Sequence, residues 1–301
     1  THKNLDRDVV NPSQIRNIIR EMKRAVSQDI FPDRQEVPKT LIFAKSDSHA
    51  DDIINIVREE YGKGNEFCEK VKRKAQFLLG EKLNINQGIV SGCDKAFVFD
   101  EYKEEFGNYL KEFYKNKDIH KYRVDNSQKY ILYLDNKEKP NDNIIEYLES
   151  FREKLEDRRE VKKGTINWWQ LQWSRDKKIF IEPKIVSRQR NTRNSFALVT
   201  EEFYASADVY YISSKDTSLN IYYILGYLNS DLFLRWFKIN GKYKGEYLEL
   251  YSTPLKEVPI IYEYDKNKMN YIVDLIQRQI DNYDEKVQNI INDFFNNKLN
   301  L

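Results

Sequence analysis

The sequence predicts a mixed α and β protein, with an α/β segment over residues 1–71, an α+β domain over 72–264 and a long helix over 265–301. In the first segment, apolar residues at helical spacing surround a short, continuous apolar run at 40–44. In the second, short aromatic and β-branched runs alternate with turn residues and helical patterns. In the third, one apolar stripe repeats at close to heptad spacing, which is typical of a helix.

Composition limits the class of protein. A chain of 301 residues exceeds the usual size of one domain, and its 40% hydrophobic and 33% charged content is typical of a globular protein in water. No apolar run is long enough to cross a bilayer and no leader peptide opens the sequence, so the expected location is the cytoplasm. The two cysteines, Cys68 and Cys93, have no companions at metal-binding spacing, so neither a disulfide framework nor a metal site is predicted.

Two helices and a strand are predicted in the first segment. Asn11 can cap a helix that has Pro12 at its first position, and Ser48 can cap a second helix that Gly62 closes. Between them, TLIFA at 40–44 suits an inner parallel strand. The apolar stripes of the two helices are Ile15, Ile18, Ile19, Met22 and Val26, and then Ile53, Val57 and Tyr61.

The run VVNPSQIRNIIREMKRAVSQDIFPDRQEVPKTLIFAKSDSHADDIINIVREEYGKGNEFC resembles the start of the second RecA-like lobe in the R subunit of type I restriction enzymes. In that family TLIFAKSDSHADDI corresponds to a helicase motif at the first strand of the lobe. The sequence contains no phosphate-cradling GxxxxGK[ST] loop, no acidic Mg²⁺ box and no late arginine motif, so this partial lobe is not expected to hydrolyse ATP. His49 stands alone at a helix start and is expected to be structural.

The second segment predicts strands and helices in alternation. LNINQGIVSGCDKAFVFD is interrupted by Gly88 and Gly92, which suggests a strand, a turn and a second strand. Further strands are predicted at YILYL, KIFIEPKIV, FALV and ADVYYIS. A buried helical region is expected over 221–237, broken near Asn229. One more helix is indicated by the shared face of Ile144, Ile145, Leu148, Phe151 and Leu155.

The third segment predicts one long helix whose apolar face needs a partner. Packing within the chain is the expected solution, and pairing with a helix of another subunit is the alternative. The residues of this face are Ile272, Leu275, Ile276, Tyr283, Val287, Ile290 and Phe294.

Across 78–262, several blocks in order resemble a known family: NINQGIVSGCDKAFVFD, LKEFYKNKDIHKY, YLESFREKLEDRREVKKGTINWWQLQW, PKIVSRQRNTRNSFALV, FYASADVYYIS, YILGYLNSDLFLRWF and GKYKGEYLELYSTPLKEVPI. They are similar to the TaqI-like C-terminal specificity domain of type II, IIG-like restriction-modification enzymes, whose parent proteins methylate adenine N6. The resemblance implies a target recognition domain that selects a sequence in double-stranded DNA. Methylation or cleavage would be carried out by another domain or subunit.

The catalytic machinery of the parent family is absent from the sequence. An adenine methyltransferase needs a glycine-rich loop for S-adenosylmethionine and an (N/D)PP(Y/F) box for the flipped base, and neither is present. S-adenosylmethionine and Mg²⁺ are therefore implied only for a separate methyltransferase or restriction subunit, and catalysis by this chain alone is not expected. Two alternatives stay open, a fragment of an ATP-dependent type I R subunit and a module that bridges subunits through the tail helix.

Residues suited to DNA concentrate in the stretch 165–193 and around two glycines at 241 and 245. Arginine, glutamine and asparagine offer forked hydrogen bonds to base edges, and lysine neutralises phosphates. A tight turn beside Gly88 and Gly92 could also bring backbone N–H groups close to a phosphate. The predicted DNA-binding residues are Gln87, Ser91, Trp169, Gln170, Gln172, Arg188, Gln189, Arg190, Arg193, Asn194, Lys242 and Lys244.

Two groups of residues in this region have competing interpretations. Tryptophans at 168, 169 and 173 are found in cores more often than on base-stacking surfaces, so at least one is expected to pack inward. Glu182-Pro183-Lys184 with Asp176 could be a nuclease element, although the proline favours a loop or an edge strand.

Overall fold

The computed structural model describes residues 12–30, 40, 42, 44, 47–64, 67–68, 76–135, 139–215 and 218–298. The chain divides into two compact units, one of Thr1–Lys74 with Asn296–Leu301 and one of Ala75–Phe295. Among the described residues, no helix combines the length and the apolar character that a membrane crossing requires.

The smaller unit contains a pair of packed helices. Helix α1 (Pro12–Ala25), extended by a wider turn at Val26–Ile30, packs against α2 (Asp47–Tyr61). The buried residues at the contact are Ile15, Ile19, Ile53, Ile56 and Val57. The predicted helices and most of their apolar stripes are confirmed here. Ile18 is an exception, because it lies one position from the contact face and is 67% exposed. Ser48 does not cap α2, because the helix already includes Asp47.

The strand predicted at 40–44 is not formed at its described residues. Thr40, Ile42 and Ala44 lie outside any strand, and residues 41 and 43, like Asn11, lie outside the described part of the chain. A strand requires a hydrogen-bonded neighbour, and the described residues of this unit supply only helices. Gly62 ends α2 with a φ of 61°, as its prediction as a helix end requires.

The larger unit mixes short strands with helices. Its strands are β1 (Phe77–Leu78), β2 (Leu83–Gln87), β3 (Val98–Phe99), β4 (Leu110–Tyr114), β5 (Tyr130–Leu132), β6 (Lys184–Arg188), β7 (Arg190–Asn191), β8 (Phe196–Val199), β9 (Tyr204–Ala205), β10 (Val209–Ser214), β11 (Tyr243–Lys244), β12 (Tyr247–Glu249) and β13 (Pro259–Ile260). Its helices are α3 (Leu79–Lys82), α4 (Asp94–Phe97), α5 (Asp142–Glu149), α6 (Arg152–Glu156), α7 (Arg159–Lys162), α8 (Lys178–Ile181), α9 (Ile221–Leu228), α10 (Asp231–Asn240), α11 (Ser252–Lys256), α12 (Lys266–Asp281) and α13 (Glu285–Asn297), with 3₁₀ turns at Glu104–Tyr109 and Asn116–Asp118.

Four small sheets organise these strands. An antiparallel sheet has the order β2-β10-β6-β8, and a second has the order β3-β5-β4-β9, in which β4 and β9 are parallel. A three-stranded sheet has the order β11-β12-β7, and β1 pairs with β13. Aromatic side chains from the two larger sheets and α8 share one core, in which Phe180, Tyr204 and Tyr211 contact one another. The mixed α and β class is confirmed.

Two predicted strands are wrong in part. KIFI forms α8, and the strand starts only at Lys184, because Pro183 disfavours helix at the residue before it and cannot donate to a sheet. After β2, the expected second strand is replaced by α4 and the two-residue β3. The side chain of Ser91 accepts the N–H of Cys93 at 3.2 Å and so helps the chain turn into α4.

The predicted break near Asn229 is confirmed. Asn220 begins α9 by accepting the N–H groups of Tyr222 and Tyr223, and Ser230 begins α10 by accepting that of Phe233 at 3.3 Å. Asn229 lies between the helices with its side chain bonded to both the N–H and the C=O of Phe196. The break therefore also joins the helices to β8.

The C-terminal helix is confirmed as helical, but as two helices rather than one. Asn282 leaves the helical conformation, and the side-chain amide of Gln279 bonds both the N–H and the C=O of Asp284, which stabilises the turn. The turn shifts the buried face of α13 to Gln288, Ile291, Asn292 and Phe295. For this reason Tyr283 and Ile290, predicted on the apolar stripe, are 51% and 42% exposed.

Candidate nucleic-acid interface

Basic residues from the two predicted DNA-binding regions meet at the three-stranded sheet β11-β12-β7, which we call the hairpin sheet. Arg190 comes from the stretch 165–193, and Lys242 and Lys244 come from the region around the two glycines. Strands β11 and β12 form a hairpin whose turn contains Gly245, at a φ of 62°. Leu248 and Glu249 of β12 then pair with Asn191 and Arg190. Residues 57 and 59 positions apart in sequence are thus held side by side, at the usual strand spacing.

One face of the hairpin sheet carries the basic side chains. Because side chains alternate along a strand, Lys242 and Lys244 share a face, and strand pairing puts Tyr247 and Arg190 on it too. The opposite face is anchored by Leu248, which is fully buried. Both lysines are exposed, and the ring of Tyr247 on the same face is 52% exposed, whereas Tyr243, paired with Leu248, lies on the opposite face and is 40% exposed. This arrangement of cations and exposed aromatic rings suits a phosphate backbone and its bases.

Arg190 is held in place by a local network. Its Nη2 donates to the Tyr251 hydroxyl at 2.6 Å, and its Nε donates to Glu249 Oε1 at 3.2 Å. The side chain of Arg190 is still 43% exposed, whereas that of Glu249 is 15% exposed. The pair therefore leaves much of the guanidinium group facing solvent.

Arg188 does not offer a free fork, which corrects its predicted role. Its Nε donates to the carbonyl of Ile119 at 2.6 Å and its Nη2 to that of Lys117 at 3.1 Å. Two hydrogen bonds to backbone carbonyls fix the loop at 115–125 against β6. Gln189 is half-buried, and its backbone N–H donates to the carbonyl of Asp208 at 2.8 Å.

The loop at 115–125 is a basic element that the sequence analysis missed. The loop contains Lys115, Lys117, Lys121 and Arg123. This local run of positive charge was the signal in the sequence that could have identified it. Burial and the like charge of Arg193, opposed by Asp231, lower the pKa of Lys121 to about 8. Arg193 itself is exposed, and no hydrogen bond or ion pair joins it to another described residue.

Four predicted contact residues are buried, which corrects their assignment to a surface. Ser91 donates its hydroxyl to Asp94, and Asn194 donates to the carbonyls of Leu228 and Ser230. Their exposed fractions, with those of Gln170 and Trp169, are 6%, 5%, 2% and 9%. The amide of Gln170 bonds the backbone at Asn167 and Asp135. Polar groups that already have buried partners gain nothing by facing DNA.

Next to Gly88, the expected phosphate-binding turn is not available either. The N–H groups of Gly88, Ile89 and Val90 donate to backbone carbonyls of Val209, Ala205 and Trp173. Gly88 allows this close approach, because a Cβ there would lie 2.3 Å from the carbonyl oxygen of Ser206.

A cleft of about 430 Å³ lies beside this turn, and we call it the Trp173 cleft. Gln87, Gln172, Trp173 and Arg175 line it together with Ile166 and Ser174. Gln172 donates to Glu160 at 3.0 Å, and Gln87 donates to the carbonyl of Ala207 at 2.8 Å. Of the three clustered tryptophans, Trp173 is the exposed one at 42%, although Trp169 was predicted for this role.

Lys184, a residue of the possible nuclease element, is fully buried. Its Nζ donates to the carbonyls of Phe180 and Glu201. Asp176 accepts the N–H of Lys178 at the start of α8, so Asp176, Glu182 and Lys184 do not converge as a nuclease element would require. Among the described residues, no group of three or more His, Cys, Asp or Glu side chains is placed to hold a metal ion.

Burial of Lys184 predicts a distinctive pH dependence. Burial lowers the pKa of Lys184 from 10.5 to about 8. Between these two pH values the folded chain has therefore lost a proton that the unfolded chain keeps. The free energy of unfolding should therefore rise as the pH increases above 8. Urea titrations across the window should show this rise in the wild type and a flatter dependence in Lys184→Met. Lys178→Met, at an exposed position, serves as the control, and identical slopes in all three proteins would contradict the assignment.

Comparison with known proteins assigns this unit to a family. The family model of the TaqI-like C-terminal specificity domain matches residues 111–260. The type II methyltransferase M.MjaIV of Methanocaldococcus jannaschii is 28% identical over 257 residues, which cover 77% of this chain and 85% of that relative. M.HindII of Haemophilus influenzae, also a type II methyltransferase, is 27% identical over 232 residues, which cover 68% of this chain and 44% of the relative.

A solved structure shares the fold. The type IIL restriction-modification enzyme MmeI, determined in complex with DNA, superposes with a TM-score of 0.52 at 13% identity, covering 77% of this chain and 33% of the MmeI chain. The family match, the relatives and this fold agree with one another. Residues 111–260 of the chain belong to the family of TaqI-like C-terminal specificity domains.

Proposed function

We propose that this chain is a DNA target recognition module of a restriction-modification system. The observation that carries the proposal is the hairpin sheet, where a TaqI-like specificity domain places Arg190, Lys242 and Lys244 on one exposed face. Non-specific affinity for DNA comes from such phosphate contacts, and base contacts add the sequence preference. Exposed Arg193 and the loop at 115–125 extend the proposed interface.

Catalysis is proposed to reside in another domain or subunit. The relatives are type II methyltransferases, which use S-adenosylmethionine, and the chain covers 85% of M.MjaIV but 44% of M.HindII. The Trp173 cleft does not suit this cofactor, because no acidic side chain lines it to hold ribose hydroxyls, and the neighbouring N–H groups are already bonded. We propose that a separate methyltransferase binds the cofactor and that this chain selects the adenine to be methylated.

The organisation of the whole chain is likewise a proposal. A segment at 1–71 would be a partial RecA-like lobe, a recognition domain would occupy 72–264, and a helical tail would occupy 265–301. Helix α12 packs on α9, and a Cβ at position 226 would lie 2.3 Å from the Cδ1 of Ile276, so glycine allows this close approach. This packing supports a tail that completes the core of the recognition domain.

Binding to duplex DNA tests the function. Fluorescence anisotropy with a short random-sequence duplex should show affinity that falls with salt, with a log–log slope of about 0.9 per neutralised phosphate. Selection from a random duplex library should then enrich one sequence motif. Incubation with DNA and S-adenosylmethionine should transfer methyl groups only when a methyltransferase is added. Absence of duplex binding at low salt, or methyl transfer by the chain alone, would falsify the proposal.

A further inference from the structure

The Trp173 cleft combines an exposed indole with a rigid backbone. The N–H of Trp173 donates to the carbonyl of Val90 at 2.9 Å, and the N–H of Val90 donates back at 3.2 Å. Because both the N–H and the C=O of Trp173 are hydrogen-bonded to Val90, the backbone of Trp173 keeps a defined position. A tryptophan that is 42% exposed in such a place loses hydrophobic stabilisation that a core position would provide, so the exposure favours a binding role.

Arg175 forms one wall of the cleft at a cost in backbone conformation. Its φ is 70°, in the left-handed region that residues other than glycine seldom adopt. In this conformation Nε donates to the carbonyl of Gly88 at 2.8 Å and Nη2 donates to Gln87 Oε1 at 3.2 Å. The guanidinium group lies 5.1 Å from the centre of the Trp173 ring. The guanidinium group thus lies over the indole ring, and a planar cation covers part of its surface.

The open hydrogen-bonding groups of the cleft are few and of both kinds. Among the described residues, no partner bonds the Nε1–H of Trp173, the Nη1 of Arg175 or the Oε1 of Gln172. Donors and acceptors around an aromatic face match the edge of a nucleobase, which carries both kinds of group and a flat ring. A cationic ligand would be repelled by Arg175.

The cleft also lies near the proposed DNA-binding face. Gln87 is paired with Tyr210 across β2 and β10, and the ring of Tyr210 is 6.2 Å from that of Tyr251. Tyr251 in turn accepts a hydrogen bond from Arg190 of the hairpin sheet. These contacts connect the cleft to the hairpin sheet through two tyrosine side chains.

We propose that the Trp173 cleft receives a single nucleobase displaced from the duplex and stacks it on the indole ring. The inference rests on the proposed function and adds a second mode of contact to it. Phosphates bind the hairpin sheet, and one unpaired base occupies the cleft. Because every base has a π-face, stacking by itself gives affinity, and Gln172 and Arg175 supply the edge contacts.

The test compares two duplexes of one arbitrarily chosen sequence. One is fully paired, and the other has a single unpaired nucleotide at its centre. Anisotropy titrations of the full chain should give about 10-fold tighter binding to the bulged duplex, within the range expected for one stacked base. Trp173→Ala should remove this preference, and Trp173→Phe should retain part of it. Circular dichroism and the affinity for the paired duplex show whether each variant is folded.

A matched control separates stacking from charge. Lys244→Ala should weaken binding to both duplexes equally and leave their ratio unchanged. Equal wild-type affinity for the two duplexes would overturn the stacking site while leaving the proposed function intact. A preference that persists in Trp173→Ala would also overturn it, because bending at the bulge would then be the cause. Failure of the wild type to bind either duplex would overturn the proposed function as well.

Discussion

Replacing Arg190, Lys242 and Lys244 together with alanine is expected to lower affinity for duplex DNA roughly 100-fold at low salt. The three side chains lie on one exposed face of the hairpin sheet and would each neutralise a phosphate. Loss of three phosphate contacts should also reduce the log–log salt slope by about 2.7. Anisotropy titrations over a range of salt concentrations measure both quantities.

A second triple variant provides the control for this result. Lys154, Lys162 and Lys163 are also exposed, but acidic residues surround them, including Glu153, Glu156 and Asp157. Their replacement removes the same formal charge and should leave the slope nearly unchanged. A similar loss of slope in both variants would mean that total charge, rather than the hairpin sheet, determines binding.

Arg158→Ala is expected to destabilise the larger unit by about 3–5 kcal/mol. Arg158 is 8% exposed and donates to three backbone carbonyls, those of Leu155, Ser91 and Trp168. Its removal would leave three acceptors without these partners and a cavity beside Phe97, over whose ring the guanidinium group lies. These carbonyls belong to three separate stretches of chain, so one side chain holds together the region from which Trp173 projects.

Urea unfolding followed by tryptophan fluorescence measures this effect, because all four tryptophans, at 168, 169, 173 and 236, lie in the larger unit. Arg152→Ala is the matched control. Arg152 is 48% exposed, pairs with Glu149 and Glu156 and lies over the ring of Trp168. Exposed contacts of this kind contribute little to stability. Equal losses of stability in the two variants would show that Arg158 does not have the structural role described here.

Local signals in the sequence predicted much of the secondary structure. Proline at position 12 marks the start of α1, and glycine at position 62 marks the end of α2. Asn229 separates α9 from α10. Such features act through a residue's own backbone or nearest turn, so their effect does not depend on the rest of the fold. The break between α12 and α13 was missed, because its signal is a side-chain bond from Gln279 to Asp284 rather than a glycine or a proline.

The candidate site was predicted less completely than the fold. Neighbouring residues of the same type separate into different roles, since Arg188 binds a loop while Arg190 faces solvent, and Trp169 is buried while Trp173 is exposed. Sequence spacing alone does not reveal which residue of such a pair faces outward. The direction of each depends on strand pairing with segments far along the chain.

From the sequence alone followed the family, some of the helix boundaries and the presence of two groups of basic residues, because motifs and turn residues carry these properties locally. The folded structure determined which polar groups remain free. Pairing of β7 with β12 joined the clusters into one face, while burial engaged Ser91, Asn194 and Lys184 with partners inside the protein. The physical reason is that hydrogen-bonding capacity is consumed by contacts between distant segments, and these contacts exist only once the chain has folded.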